Sequence, residues 1–318
     1  MLPMNRRFQI PVRMSVSVRM CGGALLAVAM LSSLATAQAA QNQASGNAAM
    51  SAPKGKAFAS PAKAAASLYA AAHRNDEQEL LAIIGPDGKE IIMWNEDPNE
   101  RHEQRQYFVE KYRQVHRLVR EPDETVALYV GSENWPFPIP LVEYKGAWYF
   151  DGGLGTQEVR YRRIGRNEME ALGVCHSLVD AEKEYRAEQH SYTAKFVSDS
   201  GTRDGLYWKS ADNSADKSKL SPIGPYLAHA GVLAAGSEAL QPYHGYYYRV
   251  LLQGAGGGAN ANGFVVLAFP ADYRSSGVMT FATDQDGMAY EKDLGEQTAT
   301  QAKQLTGFHP DSSWKKVE

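Results

Sequence analysis

Phe137-Pro138-Ile139-Pro140-Leu141-Val142-Glu143-Tyr144, then Lys145-Gly146, then Ala147-Trp148-Tyr149-Phe150, decides the class of fold. Two apolar, β-branched and aromatic runs separated by a tight turn are a hairpin signal. Prolines in alternation cannot donate to a ladder, so they place the first run at a sheet edge or bulge. Upstream, Thr125-Val126-Ala127-Leu128-Tyr129-Val130 reads as a further strand. Before it the period is helical. Ser60-Pro61 is an N-cap followed by proline at the first helical position, and Ala64, Ala65, Leu68, Tyr69 and Ala72 follow at helical spacing. Leu80, Leu81 and Ile84 mark a second short helix ended by Gly85, with Gly85-Pro86-Asp87-Gly88 as a turn. Residues 98–120 read as one longer helix with Phe108, Val109, Tyr112, Val115 and Val119 on one face. Helices followed by an antiparallel meander predict an α+β domain over 58–163, its helices on one face of a curved antiparallel sheet.

Downstream the pattern starts afresh. Gly152-Gly153-Leu154-Gly155 reads as a turn. Asn167 is expected to cap a helix with Glu168 and Glu170 in its first turn. Ala171, Cys175, Leu178, Ala181 and Tyr185 then form one apolar stripe. Residues 199–222 are loop-like, with Tyr207-Trp208 as an anchor, and a short helix is expected near 224–233. Strands are expected at 246–252, 263–269, 278–282 and 288–292, joined by a glycine-rich loop at 254–263 and by Asp284-Gln285-Asp286-Gly287. This second α+β domain, a helix plus an antiparallel sheet, spans 164–318.

The chain has 318 residues, 44% hydrophobic and 22% charged, an ordinary globular composition that supports two cores. It excludes a collagen-like chain, a wholly disordered one and a disulfide-stapled mini-protein. With 33 Lys+Arg against 36 Asp+Glu, nucleic acid is not an expected partner. Residues 1–40 carry Arg6, Arg7, Arg13 and Arg19 and no acid, then an uncharged apolar run from Cys21 to Leu34, then Ala35-Thr36-Ala37-Gln38-Ala39-Ala40. That order predicts a secretory signal peptide cut near Ala37 to Ala40. The apolar run is shorter than the roughly 20 residues that span a bilayer. The expected product is therefore periplasmic or secreted, without stable membrane insertion. It keeps 33 − 4 = 29 basic residues against 36 acidic ones, a net charge of −7. Cys175 is its one cysteine, so no internal disulfide forms. Residues 41–57 read as a flexible linker.

No common catalytic word occurs: there is no H-E-x-x-H, G-x-S-x-G, C-x-x-C or phosphate-binding glycine loop. Cys175 lies in the apolar stripe and reads as core rather than nucleophile, since His176 points elsewhere on a helix. His244, within Tyr243-His244-Gly245-Tyr246-Tyr247-Tyr248, is either a polar group in an aromatic ligand cleft or part of a half-buried strand. Asp284, Asp286 and Asp293 could offer oxygens to calcium, but Asp-Gly is also the commonest hairpin word. Trp135 and Phe137 read either as a docking surface for a partner or as a proline-blunted edge.

The element order of the first half, with its Gly-x-Trp-Tyr-Phe ending, resembles nuclear-transport-factor-2-like domains. That resemblance implies a pocket between sheet and helices, for which Tyr112, His116 and Glu143 are candidate polar groups and Trp148 a wall. The second half resembles the globular part of type IV pilins and pseudopilins, some of which hold calcium in a C-terminal loop. A pilin helix starts with a membrane half at its N-terminus, whereas here a whole domain precedes it. Ile84–Gly88, Trp135–Val142, Ile164–Glu168, Tyr243–Tyr248 and Tyr290–Gly295 together are similar to an uncharacterised family of exported bacterial proteins, domain of unknown function 2950. The resemblance implies a Gram-negative exported protein and brings no activity. The expected function is a non-enzymatic interaction protein of the cell envelope, binding a protein or another envelope component, with a link to pilus or secretion machinery suggested by the pilin likeness. The second reading is a small-ligand protein or enzyme using the first domain's pocket.

Overall fold

Ser60 opens the first helix, α1 (Pro61–His73), its side chain accepting from the Lys63 N–H at 3.3 Å. Asp76 does the same for Glu79 at the start of α2 (Glu77–Ile84). A 3-10 turn at Pro86–Gly88 leads into α3 (Lys89–Ile92), and Asp97 caps α4 (Pro98–Gln114). The strands β1 (His116–Arg120), β2 (Val126–Val130), β3 (Trp135–Pro136), β4 (Leu141–Tyr144) and β5 (Ala147–Phe150) form one antiparallel sheet in the order β1-β2-β4-β5, with β3 paired to β2. The computed structural model describes residues 52–93, 96–209, 220–231, 241–254 and 261–317. The expected signal peptide, most of the linker and most of the glycine-rich loop lie outside the described residues.

The expected helix over 98–120 is corrected by this sheet. It ends at Gln114, Val115 is extended, and all five residues of β1 pair with β2, from His116↔Val130 to Arg120↔Val126. Leu118 and Val119 fit either period locally, and the ladder decides between them. The β4–β5 turn is as expected: Lys145 and Gly146 both have positive φ (51° and 77°), the primed turn whose twist suits a hairpin. Leu68, Ile83, Leu128, Leu141 and Phe150 fill the first core, between the helices and one sheet face.

The long helix α5 (Gly152–Gln189, 38 residues) follows β5 at once, with the Asp151 side chain capping Leu154 N–H at 2.9 Å. The glycines expected to make a turn are instead its first turn. A Cβ on Gly152 would stand 2.5 Å from the backbone nitrogen of Gly88, so two glycines let the 3-10 turn rest on the helix start. Thr156 fastens the joint by donating to Asp87 O at 2.9 Å. Asn167, expected as a cap, lies mid-helix because α5 never breaks there. Residues 163 and 164, expected to divide two domains, are consecutive residues of α5, and residues 53–318 cluster as one compact unit.

A short helix, α6 (Pro225–Ala228), precedes the second sheet. That sheet is a simple antiparallel meander of β6 (Tyr246–Gln253), β7 (Gly263–Pro270), β8 (Met279–Asp284), β9 (Ala289–Asp293) and β10 (Lys315–Lys316). Ala171, Cys175 and Leu178 of α5 pack on one face against Tyr248, Phe264 and Phe281. The other face carries Leu251, Val265 and Phe269 under Ala302 of α7 (Thr298–Gln304) and Phe308. Covered on both sides, β7 is buried at every residue, which explains its unbroken apolar run.

Candidate functional site

The pocket residues expected in the first half separate into two distant pairs. Tyr112 closes α4 and lies between Tyr69 (4.7 Å between ring centres) and His116 (3.8 Å, planes 11° apart). His116 Nδ1 is 3.0 Å from Tyr112 O, and burial raises the Tyr112 phenol above its ordinary pKa. Glu143 and Trp148 sit opposite each other on β4 and β5, with the Arg120 guanidinium 5.6 Å from the Trp148 ring. His116 pairs at one end of β2, while Glu143 lies two residues beyond Leu141, which pairs with Val126 at the other end. Six residue steps at ~3.3 Å put the two pairs roughly 20 Å apart along the sheet. Leu128 and Val126 fill the face between them. The four residues therefore do not converge on one pocket.

His244 occupies a turn. It and Gly245 have φ of 50° and 74°, and Tyr243 and Tyr246 close the turn with N–H···O bonds of 2.9 and 3.1 Å. The imidazole stands edge-on to Tyr243 and its Nδ1 is 2.8 Å from Glu170 Oε2, an ion pair whenever His244 is protonated. The neighbouring tyrosines are core. Tyr246 donates to Met279 O at 3.0 Å and Tyr248 to Tyr243 O at 3.2 Å, and burial drives both phenols far above the ordinary range.

The three aspartates do not assemble either. Asp284 Oδ1 accepts from the N–H groups of Asp286 and Met288, both at 2.9 Å, and organises the hairpin turn. Asp293 is at the opposite end of that hairpin, paired with Met279, accepting from Gly295 N–H at 2.7 Å and from the Tyr273 hydroxyl at 3.0 Å. Among the described residues no three His, Cys, Asp or Glu side chains come together to hold a metal ion.

Trp135 and Phe137 part company. Phe137 packs inward on Phe108 (5.4 Å) and Phe150 (6.1 Å). Trp135 is 47% exposed, edge-on to Phe137, with the Arg162 guanidinium 5.5 Å from its ring. Arg162 also donates to Pro136 O at 2.8 Å and pairs with Glu158 at 2.7 Å, so α5 holds the tryptophan in place from outside.

Two features escaped the sequence reading. Glu182 is wholly buried on α5. Its Oε2 accepts from Thr193 N–H at 3.2 Å, Oε1 meets no donor, and desolvation pushes its pKa up to about 8. Its position, four after Leu178 and three before Tyr185, already set a carboxyl on the apolar face. The second is Arg160-Tyr161-Arg162-Arg163-Ile164-Gly165-Arg166, a basic run legible as charge patterning.

A family model described as "Protein of unknown function (DUF2950)" matches residues 55–317. The chain belongs to this family. No curated protein and no solved structure matches it. The family words quoted from the sequence now have places in the structure. Gly88 of the first meets Gly152. In the Ile164–Glu168 word, Asn167 donates to Ser276 O at 2.7 Å, and Glu168 Oε1 accepts from Val278 and Met279 N–H at 2.9 and 3.0 Å. The Tyr243–Tyr248 word supplies the turn and the buried tyrosines that face them. These words fasten α5 to the elements on either side of it, and they bring no nucleophile beside a base.

Proposed function

We propose that this member of the family is an exported, non-enzymatic interaction protein of the cell envelope. The observation that carries the reading is Trp135. A large aromatic side chain stands 47% exposed, yet it is clamped by Arg162, by Phe137 and by the proline-fixed backbone around it. A rigid exposed tryptophan gives up little entropy on association and is a characteristic binding anchor. The basic leader, short apolar run and Ala-rich end of residues 1–40 support export. No helix among the described residues is long and apolar enough to cross a membrane. The helix-then-antiparallel-sheet order of the second half is the ground for including pilus and secretion components among the partners to test.

Two measurements test this. Fractionation with N-terminal sequencing should find a chain beginning near Ala37 to Gln41 in the periplasm or medium; an uncut chain in the cytoplasm overturns export. Affinity capture from envelope extract should recover a partner with the native chain and lose it with Trp135→Ala. Unchanged recovery overturns the role of this anchor.

A further inference from the structure

The order of strands leaves β1 with an open edge. It pairs with β2 on one side, and among the described residues no backbone group bonds to its other side. At the opposite edge of the same sheet, Phe58 exchanges two backbone bonds of 2.8 Å with Trp148 of β5. Which groups of β1 face the open edge follows from its ladder. Gly131 N–H donates to Val115 O at 3.0 Å and Glu121 N–H to Thr125 O at 2.9 Å, so the residue pairs bracketing β1 are hydrogen-bonded ones. Antiparallel pairs alternate in this respect. Arg117 and Val119 therefore bond to β2, and the N–H and C=O groups of His116, Leu118 and Arg120 point away from it. Leu128 agrees with this phase: it lies opposite Leu118 and turns its O to Phe137 N–H, at 2.7 Å, on the far side of β2. Three donors and three acceptors thus stand in a row, about 7 Å from one residue to the next.

The edge also carries one sign of charge. β1 holds His116, Arg117 and Arg120 and no acid, and these three are its exposed residues. Arg120 meets Glu124 at 2.6 Å, but with both side chains more than half exposed that pair is weak and exchangeable. Arg117 lies 5.1 Å from the centre of the Tyr129 ring, with no acid within ion-pair distance among the described residues. Charged side chains on an edge block pairing with the wrong strand. A second copy of β1 laid antiparallel about Leu118 would set Arg120 opposite His116 at both ends and offer an acid to neither. The same charges favour a strand that brings carboxylates.

We propose that the open edge of β1 takes up an extended, acidic segment of a partner protein as a further strand of the first sheet. This rests on the interaction reading above and adds a second surface to it. Backbone bonds to residues 116, 118 and 120 would hold the segment whatever its sequence, and carboxylates beside Arg117 and Arg120 would select it. Leu118 and Val119 are half-buried and face opposite sides of the sheet, so apolar side chains of the segment would cover one on each face.

The test uses the purified full chain and a fluorescein-labelled peptide of alternating glutamate and valine, followed by polarisation and by amide hydrogen exchange. In the free chain the amides of His116, Leu118 and Arg120 should exchange fast and those of Arg117 and Val119 slowly. Saturating peptide should slow the first three at least about tenfold. Arg117→Glu/Arg120→Glu should weaken binding at least about tenfold, and high salt should weaken the native complex. Leu118→Pro removes an edge N–H and no ladder bond, and should abolish binding. Because Leu118 also touches the first core, a peptide methylated at every backbone nitrogen puts the same question to the unaltered chain, and it should not bind. Absence of binding, equal binding of a lysine–valine peptide, or binding that survives charge reversal or N-methylation overturns the proposal. Slow exchange at His116, Leu118 and Arg120 in a free monomer shows an edge already covered and overturns it too. A dimer of the chain that protects these amides without peptide overturns it in favour of a second copy. These arms use one purified chain and a synthetic probe, so a failure of export or of capture through Trp135 leaves them standing, and their failure leaves both of those results standing.

Discussion

Glu182→Gln should raise the stability of this protein, and by more at higher pH. Glu182 is enclosed between α5 and the segment that follows it, with Oε2 on Thr193 N–H and Oε1 without a donor. Burial raises its pKa from an ordinary 4.5 to about 8. The folded chain therefore keeps a proton that the unfolded chain releases. Stability from this group is complete below about pH 4.5 and declines as pH rises toward 8, after which no further loss occurs. At 1.36 kcal/mol per unit, the penalty is on the order of 3 kcal/mol at pH 7 and about 5 kcal/mol above pH 8. Glutamine has the same shape, keeps an acceptor for Thr193 and does not titrate. Urea unfolding of both chains, followed by tryptophan fluorescence from about pH 5 to pH 9, gives the difference directly. Contributions from other groups are common to both chains and cancel, including Asp204, which its bonds to Lys195 and Thr202 hold far below the usual carboxylate range. The gap between the two curves should widen by about 4 kcal/mol across the range. Parallel curves would refute the reasoning, because they would mean that Glu182 is solvated or paired in the folded chain.

Further outcomes follow from the joints of α5. Gly152→Ala should cost about 1–3 kcal/mol in chemical denaturation, because its Cβ meets the backbone of Gly88; an unchanged midpoint would show that the 3-10 turn does not rest on the helix. Glu168→Ala leaves the Val278 and Met279 N–H groups without their acceptor and should cost about 2–3 kcal/mol. A loss below ~1 kcal/mol in thermal melting would mean that water replaces the carboxylate. Cys175, fully buried with its thiol pushed up to about 12, should resist alkylation until the chain unfolds. Rapid native labelling of the Cys175 peptide, read by mass spectrometry, would contradict its burial.

Much of the fold is legible wherever one short stretch of chain contains the whole cause. Lys145-Gly146 announces its hairpin because positive φ at both positions is a local demand. Ser60-Pro61 announces a helix because the cap bonds a residue three positions on. The spacing of Ala171, Cys175 and Leu178 shows the buried face of α5 for the same reason. The misreadings occur where a distant partner decides. His116–Arg120 is a strand because β2 lies beside it. Gly152–Gly155 is helical because Asp151 caps it and because Gly88 and Ile139 need the space that side chains would occupy.

The candidate site divides along the same line. Trp135 stands out in the sequence by residue type, but its exposure depends on how Phe137 and Arg162 pack beside it. Tyr112 with His116 and Glu143 with Trp148 look like one pocket in a linear chain, and sheet register sets them at opposite ends. The sequence by itself determined the α+β class, most element positions and the buried stripe of α5, since these rest on backbone sterics and periodicity within a few residues. Only the tertiary structure decided that one unbroken helix joins both cores, that Glu182 is enclosed and that Trp135 stands exposed beside Arg162. Those outcomes depend on packing between residues far apart in the chain, which no local pattern encodes.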